Sequence, residues 1–232
     1  MQEKYGFKNI NVDLIIGIPN QTMEMIENEL DEIIKINPEH VSIYSLIVED
    51  NTVLKKQIED GEYTLLQDDL ERQMYWRVNE RLSNSGYSQY EISNYSKPMH
   101  ESKHNLDCWN QKEYIGFGVS AHSYTNNVRY SNIDSIEEYI NNFRIGKEVD
   151  NLIFHEKQNL KSKMDEYMML GLRKIDGVSK EEFKNKFDLD IMDLYKESLK
   201  KLQEQGLIII DENIKLSKRG IDLANIVWEE FV

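Results

Sequence analysis

The tightest constraint on this chain is a strand-and-crossover pattern that runs through its first ninety residues. Residues 9–16 alternate polar and apolar side chains and then turn apolar through Leu14, Ile15 and Ile16. A parallel strand that enters its sheet at a polar edge and then becomes buried has this pattern. Gly17 and Pro19 end the run, and Thr22 can cap a helix whose Met23, Ile26, Leu30, Ile33 and Ile34 share one face, with Glu24 and Glu27 near its positive end. Asn37-Pro38 stops that helix, and residues 41–48 read as the next strand. Leu66, Leu70, Met74, Val78 and Leu82 mark a second amphipathic helix closed by Gly86, and residues 87–93 supply a third strand. Strand, helix, strand, helix, strand with connections this short predicts a parallel sheet with right-handed crossovers. Three parallel strands complete no fold, so the pattern reads as α/β, the second half of a barrel.

The later sequence changes character. Residues 95–130 are rich in Asn, Ser, Gly, His and Tyr, which favours long ordered loops, and residues 136–143 read as a short helix. Residues 146–152 read as a linker. Beyond it come a helix carrying Leu160, Met164, Tyr167, Met168 and Leu172, one starting after Ser179, and one over residues 191–205 ended by Gly206. A hairpin at 207–210 and 214–216 and a last helix at 218–231 complete a winged-helix-like order. Charge divides in the same place: the net charge is −12 over residues 1–150 and −2 over the remainder. Two domains are therefore expected, residues 1–148 and 149–232.

Composition removes several function classes. Cys108 is the only cysteine, so no disulfide forms within the chain and no cysteine set can hold an iron-sulfur cluster or structural zinc. The longest apolar runs, 14–18 and 207–210, fall far short of the ~20 residues of a membrane span, and the start lacks the regions of a signal peptide. No membrane span and a cytoplasmic location are expected. A net charge of −14 makes nucleic acid a poor partner. A winged-helix interaction module remains a further class, with Lys196, Lys200 and Lys201 on its third helix able to touch phosphate, but no wider basic stripe accompanies them.

Two stretches concentrate chemistry. Asp13-Leu-Ile-Ile-Gly17-Ile-Pro19-Asn-Gln21-Thr22 places an acid near the end of a parallel strand, where a carboxylate can accept both hydroxyls of a ribose and Gly17 lets backbone approach a ligand. An Asp that merely caps the strand end fits the same letters. The second stretch gathers His100, His104, His122, Cys108 and several aromatics between Tyr90 and Tyr124. His and Cys are axial ligands of haem iron, and aromatic walls suit a porphyrin face. Histidines that hydrogen-bond loop backbone are the alternative, and Gly116 and Gly118 fit a tight bend equally well.

Five blocks occur in order: Asp13-Leu-Ile-Ile-Gly-Ile-Pro, His40-Val-Ser-Ile-Tyr-Ser-Leu, Gly86-Tyr-Ser-Gln-Tyr-Glu-Ile-Ser-Asn-Tyr, His104-Asn with Trp109, and Gly116-Phe-Gly-Val-Ser-Ala-His-Ser-Tyr. Together they resemble the oxygen-independent coproporphyrinogen III oxidase-like radical S-adenosylmethionine (SAM) family, and the His-Asn-x-x-x-Trp element resembles its haem-chaperone branch. The tail from Gly206 is similar to the family's winged-helix-like C-terminal domain.

The resemblance implies the second half of a radical SAM TIM-type barrel followed by that small domain. It implies that Asp13 holds the SAM ribose, that Ile15, Tyr44 and Leu46 line the adenine, that His122 lies near the same cofactor, and that His104 binds haem. The branch usually has Tyr at Cys108 and Gly at Asn20. In the family a three-cysteine motif upstream of the first block holds a [4Fe-4S] cluster, and this sequence has no such motif. The expectation is a fragment without radical chemistry of its own, no cluster-ligand residues, and self-association through uncovered edges. The full protein is expected to bind haem or porphyrin and deliver haem to acceptor proteins. The alternative is the oxidase that decarboxylates coproporphyrinogen III.

Overall fold

In the computed structural model, which describes residues 6–231, β1 (Asn11–Ile16) pairs in parallel with β2 (His40–Ser45) in unbroken register from Asn11 opposite His40 to Ile16 opposite Ser45. The crossover is α1 (Met23–Ile36), capped as its sequence predicts. Thr22 accepts from the Met25 N–H, and Asn37 closes the far end at a φ of +54°. After α2 (Val53–Glu59), which buries none of its residues, comes α3 (Asp68–Asn84). Ile26, Leu30 and Ile33 of α1, Met74, Val78 and Leu82 of α3, and Leu14, Ile16, Val41 and Ile43 of the strands are all buried, which makes the helix-covered face of the sheet a core. Glu27 of α1 is ion-paired to both Arg77 and Arg81 of α3.

The third strand departs from the sequence reading. Residues 87–93 do not form a single parallel neighbour of β2. They form β3 (Ser88–Glu91), which turns back into β4 (Asn94–Ser96), and the sheet order is β1-β2-β4-β3 with β4 antiparallel to β2. The reversal is made by a side chain. Glu91 accepts from the Ser93 N–H at 2.9 Å and from the Asn94 side-chain amide, and a bulge at Gln89 and Glu91 adds twist. This unit ends at Glu101.

The second unit begins at Ser102 with α4 (Lys103–Trp109). The region expected to be loop also contains β5 (His122–Thr125) and most of β6 (Val128–Asn132). The two strands are joined by Asn126 and Asn127 at φ of +50° and +63°, the paired positive angles of a tight hairpin turn. After α5 (Ile136–Arg144), β7 (Leu152–Lys157) returns to pair with β6, Leu152 opposite Asn132. The boundary expected between 148 and 149 thus falls within this unit.

From there come α6 (Leu160–Gly171), β8 (Val178–Ser179), α7 (Lys180–Phe187), α8 (Ile191–Leu194), α9 (Lys196–Glu204), β9 (Ile208–Ile210), β10 (Asn213–Leu216), α10 (Lys218–Asp222) and α11 (Ala224–Glu229). The expected hairpin is β9–β10, and β8 joins it to make a small antiparallel sheet. The helices expected at 191–205 and 218–231 are each broken, at Tyr195 and at Leu223, whose φ, ψ pairs are −110°, 26° and −120°, 33°. At the first break the Tyr195 ring packs on Phe183 and Phe231 and its hydroxyl donates to Asp165 at 2.7 Å. Arg173 lies between two indoles, 4.5 Å from the Trp109 ring and 4.8 Å from that of Trp228.

Candidate functional site

Successive side chains of a strand point to opposite faces. Leu14 and Ile16 therefore enter the core, while Asn11, Asp13 and Ile15 line the face away from the helices. On β2 the same face carries His40, Ser42 and Tyr44, because Asp13 stands opposite Ser42 and Ile15 opposite Tyr44. Ile15 and Tyr44 are 44% and 43% exposed, an apolar and an aromatic surface left open beside a carboxylate. Leu46 is half-buried and extends the β2 side, its N–H donating to the Ile16 carbonyl at 2.8 Å. Four residues expected around SAM, Asp13, Ile15, Tyr44 and Leu46, are therefore neighbours on these two strands. His122 belongs to the second unit.

The loop after β1 is shaped by Gln21. Its side-chain oxygen accepts from the Gly17 N–H at 2.8 Å and from the Ile18 N–H at 3.3 Å, and its amide donates to the Ile15 carbonyl at 3.2 Å. Asn20 adopts a φ of +65°, a left-handed conformation that Asn tolerates better than most residues. A ribose diol on the carboxylate and a purine against Ile15 and Tyr44 match the chemistry of this face.

Sequence reasoning missed the groups that hold Asp13. Asn11 donates from its side-chain amide to Asp13 Oδ1 at 2.5 Å. The Asn11 oxygen lies 2.7 Å from His40 Nδ1 and accepts from the Ser42 hydroxyl at 3.2 Å, and His40 Nε2 lies 2.8 Å from the Tyr90 hydroxyl. His40 is buried. Burial pushes its pKa below the ordinary imidazole value, against the smaller opposing pull of Asp13 and Glu101. The alternation Asn11-x-Asp13 beside His40-x-Ser42 was a readable signal once the parallel register was known.

In the second unit, Ser102 caps α4 by accepting from the Asn105 N–H. His104 is exposed on the first turn and Cys108 follows on the same face, Sγ 3.8 Å from His104 Nε2. The Tyr114 ring stands edge-on to His104 with centroids 6.3 Å apart, and Ile115 and Phe117, 59% and 88% exposed, continue the same segment. An accessible imidazole nitrogen near uncovered apolar side chains fits an iron porphyrin. Burial, with a further contribution from Asp107, pushes the Cys108 thiol up, and Arg129 opposes this only partly. Cys108 is therefore a thiol at neutral pH.

His122 is exposed on β5 and its ring stacks on that of His155 from β7, centroids 6.1 Å apart and 12° from parallel. Sequence reasoning missed His155, which lies outside the five blocks. His100 lies in the first unit, and His104 and His122 belong to the second. Among the described residues, no three His, Cys, Asp or Glu side chains are grouped to hold a metal ion, and no helix is long and apolar enough to cross a membrane. Lys200 and Lys201 are each paired with a glutamate, Glu204 and Glu230.

Residues 158–223 match the HemN C-terminal domain. The sequence is 36% identical over 231 residues to "Heme chaperone HemW" of Lactococcus lactis subsp. lactis (strain IL1403), covering 99% of this chain and 60% of that protein. It is 37% identical over 228 residues to the protein of the same name from Bacillus subtilis (strain 168), covering 98% and 60%. Among solved structures, coproporphyrinogen III oxidase (HemN) from Escherichia coli, described as a radical SAM enzyme, matches with a TM-score of 0.80 at 20% identity, over 99% of this chain and 56% of that one. That likeness shows a shared fold. The chain spans about three fifths of the length of these curated relatives.

Proposed function

Taking as premise that this chain belongs to the HemN/HemW family of radical SAM proteins, we propose that it is part of a haem-binding chaperone that delivers haem to acceptor proteins. The observation that carries this reading is His104, exposed one turn ahead of Cys108 with Tyr114, Ile115 and Phe117 nearby. Relatives of 36–37% identity over nearly the whole chain bear the chaperone name, which favours this reading over the oxidase that shares the fold. Haem is cargo here, with His104 as its axial ligand.

The same reading assigns SAM to Asp13, Ile15, Tyr44 and Leu46 of the first unit. A [4Fe-4S] cluster that binds SAM belongs to residues outside these 232, because the sequence has a single cysteine. Cluster and SAM would act as regulator or scaffold in a chaperone, and as the source of radical chemistry in an oxidase. Residues 1–148 form the barrel portion in this reading and residues 149–232 the C-terminal domain, consistent with the match at 158–223. The cytoplasm is the proposed location. Self-association through β1 and β3, the outer strands of the first sheet among the described residues, is also proposed. Light scattering tests it: a monomer mass contradicts it.

Titration with ferric haem tests the central reading. Wild type should develop a Soret band that saturates, and His104→Ala should weaken it at least about tenfold, as loss of an axial ligand requires. An unchanged titration removes the assignment of His104.

A further inference from the structure

Asp13 is exposed on a strand, and a carboxylate there has a broad, roughly two-fold preference about its terminal torsion. Accepting a vicinal diol requires one fixed orientation, with an oxygen turned toward the ligand. The structure shows what fixes it. Asn11 donates to Asp13 Oδ1, while no hydrogen bond among the described residues occupies Oδ2.

The orientation of the Asn11 amide is itself determined. A carboxylate only accepts, so the Asn11 nitrogen is the end that faces Asp13, and its oxygen, which already accepts from the Ser42 hydroxyl, meets His40 Nδ1 as an acceptor. The tautomer of His40 follows from the same logic. With Nδ1–H committed to Asn11, the neutral imidazole accepts at Nε2, and Tyr90 O–H is the donor 2.8 Å away. Tyr90, His40, Asn11 and Asp13 thus form one directed chain across β3, β2 and β1.

We propose that Asn11 and His40 are positioning residues which hold Asp13 with one oxygen presented to a ribose, and so make this face select a 2′,3′-diol over a deoxyribose. The inference rests on the reading of Asp13 as the ribose acceptor and adds the residues that give it selectivity. Neither residue touches the nucleoside. The adenine surface at Ile15 and Tyr44 lies further along the strands and should be unaffected by changes at Asn11 or His40.

Calorimetric binding of adenosine and of 2′,3′-dideoxyadenosine to the chain tests this. Wild type should prefer adenosine. Asn11→Ala, a change at an exposed position, should cut that preference about fivefold with dideoxyadenosine binding unchanged, the scale of one misplaced charge-assisted hydrogen bond. His40→Ala should do the same, and His40→Gln should restore most of the preference, because a side-chain amide can still donate to Asn11 and accept from Tyr90. A merely structural role would weaken both ligands together. Asp13→Asn separates the two levels. If it abolishes the preference while Asn11→Ala leaves it intact, the positioning role fails and the ribose reading survives. If wild type shows no preference, or Asp13→Asn retains it, both are overturned.

Discussion

His104 Nε2 and Cys108 Sγ lie 3.8 Å apart on one face of α4. The helix repeat places an imidazole and a thiol where either could reach the same iron. The thiol is held protonated by burial and by Asp107, and the thiolate is the form that ligates metal, so the imidazole should be the ligand. Cys108→Ser should therefore leave haem affinity within about twofold of wild type, read from the Soret titration. A collapse of the band in that variant would transfer the ligand role to sulfur.

Gly116 is a steric requirement. A Cβ there would stand 2.2 Å from the His122 carbonyl oxygen, where backbone cannot yield without displacing β5. Hydrogen bonds hold the two segments together on either side: Tyr114 and Tyr124 exchange backbone hydrogen bonds at 2.9 Å, and the Gly116 N–H donates to the Ser123 hydroxyl. Gly116→Ala should cost about 2 kcal/mol of stability, measured as a lower urea midpoint, whereas Gly118→Ala meets no atom within 4 Å. At Gly118 the φ of +102° is the only obstacle.

The Trp of the His-Asn-x-x-x-Trp element has a packing role. Trp109 and Trp228 flank the Arg173 guanidinium. In a double-mutant cycle, Trp109→Leu and Arg173→Met should couple by about 1 kcal/mol. Additive losses would show that the stacking contributes nothing.

His40 makes stability depend on pH with a definite sign. Its ordinary value is 6.5 and burial lowers it in the folded chain. Between the lowered value and 6.5 the unfolded chain binds a proton that the folded chain does not, so stability is fully present above about 6.5 and is lost as pH falls through the folded value. His40→Gln removes this contribution. The urea midpoint of wild type should fall more between pH 7.5 and pH 5 than that of His40→Gln, and equal falls would contradict the lowered value.

The sequence made the elements of the first unit legible where local chemistry and burial coincide. Thr22, Asn37 and the apolar face of α1 define that helix from both ends, and Leu14 and Ile16 belong to a buried strand by composition alone. The β3–β4 reversal was not legible, because Ile92-Ser93 carries no Gly or Pro and the turn depends on the Glu91 side chain. The Asn126-Asn127 turn was not singled out within the loop expected over residues 95–130, residues 122–132 are too polar to read as strands, and their pairing with β7 comes from later in the chain. The site divided along the same line. Asp13 and His104 took their roles from the blocks they stand in, whereas Asn11 lies outside the blocks, and His40 and Tyr90, though inside them, act through a register that only the folded sheet defines.

The most direct test of His104 as the haem ligand compares haem with iron-free protoporphyrin. The two share their apolar ring and propionates and differ in the metal an imidazole can bind. Wild type should prefer haem by at least about tenfold, and His104→Ala should lose that preference while binding protoporphyrin as before. A His104→Ala chain that still prefers haem as strongly as wild type would contradict the assignment.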